Sequence, residues 1–406
     1  MEKKRNQVFQ VIFIFGIISM LGDIVYESAR GVNSQYLQIL SISASQIGLV
    51  FGIGEFLGYF LRLFAGLFSD KTGKHWIFVF LGYGSLLVVP LMGFTDSWIL
   101  LIILMLAERI GKALRSPAKD TILSTVADGQ MGVGIAFGIQ EALDQIGAFV
   151  GPLIFTAVFY FTQNNRLQEY QRGYQLLLIP FVLLMLFLYF AYRKITDHQL
   201  LPTNKENSYQ QEKLQDIFWI YTAFTFFASL GFMPFPIIAY HLKFDAITSD
   251  ASIPLIYAFA MAIDAIVALL IGWAYDQMKK KTKRKEAGIL VLGLIPLTSL
   301  LLVFFALQKS FLSILLAMLF FGITMASHET VMRSAIADLS PFHKRGLAYG
   351  IFNTCYGLAL LLASVLMGYF YEKNIHLIWI FALVVEVISF LLFIYLFRRV
   401  EKTRKA

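Results

Sequence analysis

Cysteine is almost absent: Cys355 is the only one in 406 residues. An internal disulfide is therefore impossible, and metal sites built on paired thiolates are excluded. Charge is also scarce, at 15% of residues against about a quarter in soluble domains. That shortfall is too large for a water-facing surface. Histidine numbers six, none four positions from another, so no dense ligand cluster forms. No Gly-Lys-Ser phosphate loop occurs, which removes an ATP-driven pump within this chain. No helix carries His-Glu-x-x-His spacing and no serine sits in Gly-x-Ser-x-Gly, so an intramembrane lipid enzyme has no visible nucleophile or zinc site. A sensor or scaffold would normally carry an appended soluble domain, and the longest soluble segment is a short linker. No cofactor is expected.

What the chain has instead is apolar length: 58% hydrophobic residues and a mean hydropathy of +0.68. Such a chain accommodates about twelve spans of about 20 residues with short loops. Apolar runs place them at 8–36, 46–68, 76–94, 98–118, 133–162, 173–193, 216–241, 253–276, 286–307, 311–337, 345–371 and 376–398. The polar stretch 195–215 reads as a linker, giving domains 1–194 and 216–406. The fold class expected is all-α, with two pseudo-symmetric six-helix bundles. The basic start before Val8 resembles a signal peptide but lacks a small-residue cleavage site, so it reads as an uncleaved first span.

The formal charge of +8 could mark nucleic-acid binding. Its distribution says otherwise. Basic residues cluster in alternate loops: Lys3-Lys4-Arg5, Lys71 and Lys74, Arg193-Lys194, the run from Lys279 to Lys285, Lys344-Arg345 and Arg398-Arg399. That is the positive-inside pattern, so both termini are expected in the cytoplasm of a multi-pass inner (plasma) membrane protein. A monomer is expected, in contact with lipid.

The halves repeat each other. Gly66-Leu-Phe-Ser-Asp70 returns as Gly272-Trp-Ala-Tyr-Asp276, and Val126-Ala-Asp128 with Phe137-Gly138-Ile139 returns as Ile336-Ala-Asp338 with Tyr349-Gly350-Ile351. Duplicated halves are a transporter architecture, with the solute site between them near the midplane.

Three stretches carry a family resemblance. Gly66-x-x-x-Asp70-x-x-Gly73-Lys74 resembles the loop signature of the major facilitator superfamily. Gly147-x-x-x-Gly151-Pro152 is similar to a motif of its antiporters, and Glu108-Arg109-Ile-Gly111-Lys112 occupies the place of the fourth helix's basic motif. His75 stands where a second basic residue is common, and Leu153-Ile154 replace the paired glycines usual after the proline. The resemblance implies alternating access, with helices one, four, seven and ten lining the cavity. It also gives Asp70 the role of charge-pairing with a helix N-terminus in the other half. An anion there is favourable by about 0.3–1 kcal/mol. On the same footing Gly66, Gly73, Lys74, Gly147, Gly151, Pro152 and Asp276 are the gating candidates.

Ionisable residues inside spans are costly unless they pair or face water. Asp23, Glu27 and Arg30 share one face of the first span, spaced i, i+4 and i+7. The fourth brings Glu108, Arg109, Lys112 and Arg115; the fifth, Glu141 and Asp144; the eighth, Asp264; the tenth, His328, Glu329 and Arg333. These are candidates for proton coupling and the solute cavity. They equally fit a static lattice in which arginines neutralise the acids. Glu55, Tyr59 and Arg62 line one face of the second span and read as a structural clamp. His328 beside Glu329 raises divalent metal transport, against which adjacent helical residues point about 100° apart. The leading expectation is proton-coupled export of a small organic solute; uptake of a metabolite is its alternative.

Overall fold

A computed structural model of the chain describes residues 2–127, 133–162, 167–197, 214, 216–282, 286–340 and 345–402. Its helices are α1 (Glu2–Arg30), α2 (Asn33–Ile39), α3 (Ala44–Thr72), α4 (His75–Gly84), α5 (Val88–Leu91), α6 (Trp98–Ala127), α7 (Val133–Thr162) and α8 (Leu167–Leu176). They continue as α9 (Leu178–Asp197), α10 (Asp216–Leu230), α11 (Phe235–Phe244), α12 (Ser252–Thr282), α13 (Ile295–Ala306), α14 (Phe311–Leu339), α15 (Arg345–Lys373) and α16 (His376–Lys402). The described residues contain no strand. In lipid every backbone polar group must be satisfied within its own segment, which helices achieve.

Among the described residues, eleven helical segments are long and apolar enough to cross a membrane. The twelfth run is α6, whose 30 residues extend about 45 Å at about 1.5 Å per residue. It stands apart from the eleven because Glu108, Arg109, Lys112 and Arg115 crowd its apolar stretch with charge. Glu108, Arg109 and Arg115 are buried, so these charges turn into the protein. Several expected spans are pairs of helices. The first breaks at Gly31 into α1 and α2, and the seventh breaks between Leu230 and Phe235 into α10 and α11. Pro234 has no N–H, so the Leu230 carbonyl loses its helical donor there.

The helices pack as two compact units: Met1–Ser41, Phe60–Asn207 and Ser249–Ala258 form one, and Ile42–Tyr59, Ser208–Thr248 and Phe259–Ala406 the other. The division runs through α3 and α12, and most of the expected linker 195–215 lies outside the described residues. In the first unit α7 lies against α1 through glycines. A Cβ at Gly147 would collide with the Met20 carbonyl, and one at Gly151 would sit 2.8 Å from the Ile24 carbonyl. Ser28 Oγ donates to the Gly151 carbonyl at 2.6 Å across the same seam. Small residues four apart permit such approach in membranes. In the second unit, Gly52 meets the Leu361 carbonyl of α15, where a Cβ would lie at 3.0 Å.

The repeated motifs occupy matching places. A Cβ at Gly66 of α3 would rest 3.5 Å from Pro117 of α6, and one at Gly272 of α12 would rest 3.4 Å from Thr330 of α14. Each glycine thus lies where the second helix of its half passes the fourth, with room for a side-chain carbon at ordinary contact distance. Gly73 has φ of +64°, a left-handed conformation that glycine adopts without steric cost, and it turns the chain from α3 into α4.

Candidate functional site

Three stripes meet in the first unit. On α6, Glu108, Lys112, Arg115 and Lys119 fall at i, i+4, i+7 and i+11. On α7, Gln140, Asp144, Gly147 and Gly151 follow the same spacing. The facing stripe of α1 holds Ser19, Asp23, Tyr26, Glu27 and Arg30. Each spacing puts its residues on one helical face. The α7 glycines bring their acid-bearing face against α1, since a Cβ at Gly147 would lie 3.1 Å from the Asp23 Cβ.

Along α1 the polar contacts form successive levels, covering about 12 Å between Ser19 and Glu27. At the first, Lys119 Nζ donates to Ser19 Oγ at 3.0 Å, with Lys119 itself buried. At the next, half-buried Asp23 interacts electrostatically with Asp144, Lys112, Glu27 and Lys119. It completes no hydrogen bond and no ion pair among the described residues. Asp144 accepts a 3.4 Å bond from Gln140 Nε2. Above them Tyr26 gathers three cations. Lys112 Nζ lies 3.8 Å from its ring centroid, the Arg109 guanidinium carbon 4.9 Å and that of Arg30 6.0 Å. Arg109 also donates a hydrogen bond to the Tyr26 hydroxyl. Cations over an aromatic face are attracted by its quadrupole. The Lys112 side chain has no hydrogen bond or ion pair among the described residues.

The uppermost level is Glu27, which is buried. It accepts a 2.6 Å hydrogen bond from Tyr257 and pairs with Arg30 at 3.7 Å. Glu108 pairs with Arg109 at 3.6 Å, and its Oε1 is left without a hydrogen bond among the described residues. Arg115 is buried against the Tyr83 ring, 5.1 Å from its centroid, and donates a 3.4 Å bond to the Gly82 carbonyl. Beyond Glu27, Tyr174 donates to Asn33 at 2.6 Å and Tyr170 to Asp250 at 2.7 Å.

The structure therefore gathers Asp23, Glu27, Arg30, Glu108, Arg109, Lys112 and Asp144. It does not bring Glu141 into that set: Glu141 is exposed and accepts a 3.4 Å bond from Gln145. Asp264, His328 and Glu329 belong to the second unit. Asp264 is buried in α12. His328 is buried, with Nδ1 3.2 Å from the Tyr356 hydroxyl and its ring against Phe232. Glu329 is half-buried, and the Arg333 side chain lies outside the described residues. No group of three or more metal-ligating side chains occurs among the described residues.

Among the gating candidates, Asp70 is exposed, with His75 Nδ1 at 4.0 Å, while Ser69 Oγ lies 2.6 Å from the same nitrogen. Lys74 and Asp276 are exposed too, and Pro152 is buried inside α7. In the second unit the repeat's Asp338 is firmly held, accepting from Tyr275 and Lys279, each at 2.5 Å. Asp128, its counterpart in the repeat, lies outside the described residues.

Sequence reasoning missed Lys119, Ser19, Tyr26 and Tyr257. Lys119 carried a signal, seven positions beyond Lys112 on the same stripe. Tyr26 carried one as well, standing beside Glu27 and three positions after Asp23 in the first span, whereas Tyr257, one of 19 tyrosines, carried none.

The family described as Major Facilitator Superfamily matches residues 11–326 and 283–406. An uncharacterized protein of Mycobacterium tuberculosis is 30% identical over 94% of this chain and 91% of its own length. An uncharacterized MFS-type transporter of Methanocaldococcus jannaschii is 27% identical over 97% of each. Among solved structures, the nucleoside transporter NupG superposes with a TM-score of 0.74 over 95% of this chain and 100% of its own. At 13% identity, that likeness concerns the fold.

Proposed function

From the premise that this chain belongs to the major facilitator superfamily and is a membrane transporter, we propose that it is a proton-coupled secondary carrier that exports a small organic solute by alternating access. The reading treats the two six-helix halves, 1–194 and 216–406, as the moving bodies. One observation carries it. Asp23 sits between two lysines and two other acids with no hydrogen bond or ion pair among the described residues, whereas Glu27 is tied to Tyr257 and Arg30. A membrane-embedded acid without a fixed partner can exchange a proton without breaking a contact. Protonating it shifts the charge balance of the cluster toward Lys112 and Lys119. Lys112, which lies on the Tyr26 ring and in the field of Asp23 and Glu27 without a side-chain hydrogen bond, then becomes the group best placed to meet the solute.

Export is the direction favoured, because the antiporter-like Gly147, Gly151 and Pro152 pack on the helix that carries Asp23. A solute found by thermal stabilisation of the purified protein across a panel, then followed in proteoliposomes, provides the test. A pH gradient should drive its movement. In Asp23→Asn gradient-driven flux should disappear while solute-for-solute exchange persists. Flux indifferent to the gradient in the unmodified protein would remove proton coupling, and gradient-driven uptake would reverse the direction.

A further inference from the structure

The second unit holds a polar cluster that the coupling mechanism leaves unused. Glu386 of α16 is fully buried. It lies ten residues into the span His376–Val400, so about 15 Å deep, near the middle of a hydrocarbon core about 30 Å thick. No charged side chain acts on it among the described residues. Ser299 of α13 and Ser389 of α16, both fully buried, flank the carboxylate closely enough to interact with it. Yet neither carboxylate oxygen and neither hydroxyl completes a well-formed hydrogen bond among the described residues.

The fourth side is the gap between α10 and α11. Gly231 abuts Glu386 so closely that a Cβ there would collide with Oε1. This places unwound backbone beside the carboxylate at the point where Pro234 deprives the Leu230 carbonyl of its donor. Carboxylate, hydroxyl and uncommitted carbonyl oxygens are all electron-rich. Their convergence in an apolar interior is unfavourable unless the hydroxyls turn to donate, the carboxyl carries a proton, or a cation lies among them. The unwound carbonyls, which can only accept, favour the cation. A single carboxylate balances one positive charge, whereas a divalent ion would leave a net charge buried. Interrupted membrane helices offer such carbonyl oxygens to small cations.

We propose that Glu386, Ser299, Ser389 and the unwound segment from Leu230 to Pro234 form a binding site for Na+. The site is separate from the Asp23 cluster, and its occupancy ties α16 and α13 to the break between α10 and α11. Thermal unfolding of the purified full chain is compared in NaCl, KCl and choline chloride at equal ionic strength and fixed pH. Na+ should raise the midpoint saturably, and K+ and choline should not. Glu386→Gln should keep the fold and require at least about tenfold more Na+ for the same shift, the loss of about 1.4 kcal/mol of binding. Should that variant fail to fold, Ser299→Ala with Ser389→Ala provides the comparison, with the same loss expected. Equilibrium binding of radioactive sodium ion supplies an independent readout. Equal midpoints in all three salts would overturn the assignment. So would an unchanged Na+ response in the variants, or a midpoint that follows pH while ignoring Na+.

Discussion

The hydroxyl of Tyr257, in the first turns of α12, donates a 2.6 Å hydrogen bond to Oε2 of Glu27, 230 positions earlier in the chain. The bond fixes the acid at the end of the α1 stripe, while Asp23, one turn before it, has no such tether. Tyr257→Phe deletes the donor and keeps the ring. A hydrogen bond to a charged group contributes about 1.5–3 kcal/mol. The variant should therefore unfold at lower temperature, and Glu27→Gln, which retains an acceptor, should lose less. A double-mutant cycle between the two positions measures the coupling directly. Additive effects would mean that the bond does not contribute.

The charge balance of the cluster gives a second expectation. Lys119 is buried, bonded to Ser19 and in electrostatic contact with Asp144 and Asp23. Lys119→Met removes the Ser19 bond and takes a nearby cation from Asp144 and Asp23, and uncompensated buried charge is destabilising. Folded yield in detergent should fall sharply. Adding Asp144→Asn should restore part of it, because the double variant carries the same net charge as the original chain. A double variant no better than the single would separate the two residues energetically.

Packing of α7 on α1 is the third. A Cβ on Gly138 would have nothing within 4 Å, whereas one on Gly151 would meet the Ile24 carbonyl at 2.8 Å. Both glycines lie in α7. Gly138→Ala should stabilise by about 0.5–1 kcal/mol, since glycine loses more freedom in a helix than alanine. Gly151→Ala should destabilise, because the carbonyl it meets belongs to backbone and cannot swing aside. Thermal unfolding of the two variants side by side checks the sign of each change.

These particulars show where the sequence was readable. The twelve runs followed from apolar length alone, and the repeated motif glycines Gly66 and Gly272 each lie beside the fourth helix of their halves. The charged stripe of α6 was legible because helical periodicity is a local property. Glu141 and Asp144 were harder: both are acids on one helix, and nothing about an isolated carboxylate says which way it points. The clue lay in the companions. Asp144 shares its stripe with Gly147 and Gly151, while Glu141 stands about 100° away from Gln140 and faces outward. Tyr257 against Glu27 was out of reach, since a contact across 230 positions is set by tertiary packing. Glu386 passed unnoticed as a single acid in a long apolar run, and its meaning depends on Ser299 and Gly231, far away in the chain.

The last expectation concerns the acids at the helix ends of the repeat. Asp70 and Asp276 occupy equivalent motif positions, and both are exposed. The acid that is firmly held is Asp338, which joins the end of α14 to α12 through Tyr275 and Lys279. Asp276→Asn should change stability by no more than about 0.5 kcal/mol, as surface substitutions do. Asp338→Asn removes a charge-assisted hydrogen bond and an ion pair together, with side-chain exposures of 15% for the acid and 27% for Lys279. Water screens a pair at that depth only in part, so the loss should be about 1–3 kcal/mol and should shrink as salt is added. If these contacts set the balance between carrier states, Asp338→Asn should also alter transport rate at saturating solute, with Lys279→Met changing it in the same sense. Thermal unfolding in low and high salt, paired with flux in proteoliposomes, distinguishes the two acids. A larger effect at Asp276 than at Asp338 would favour the motif position over Asp338 as the gating acid.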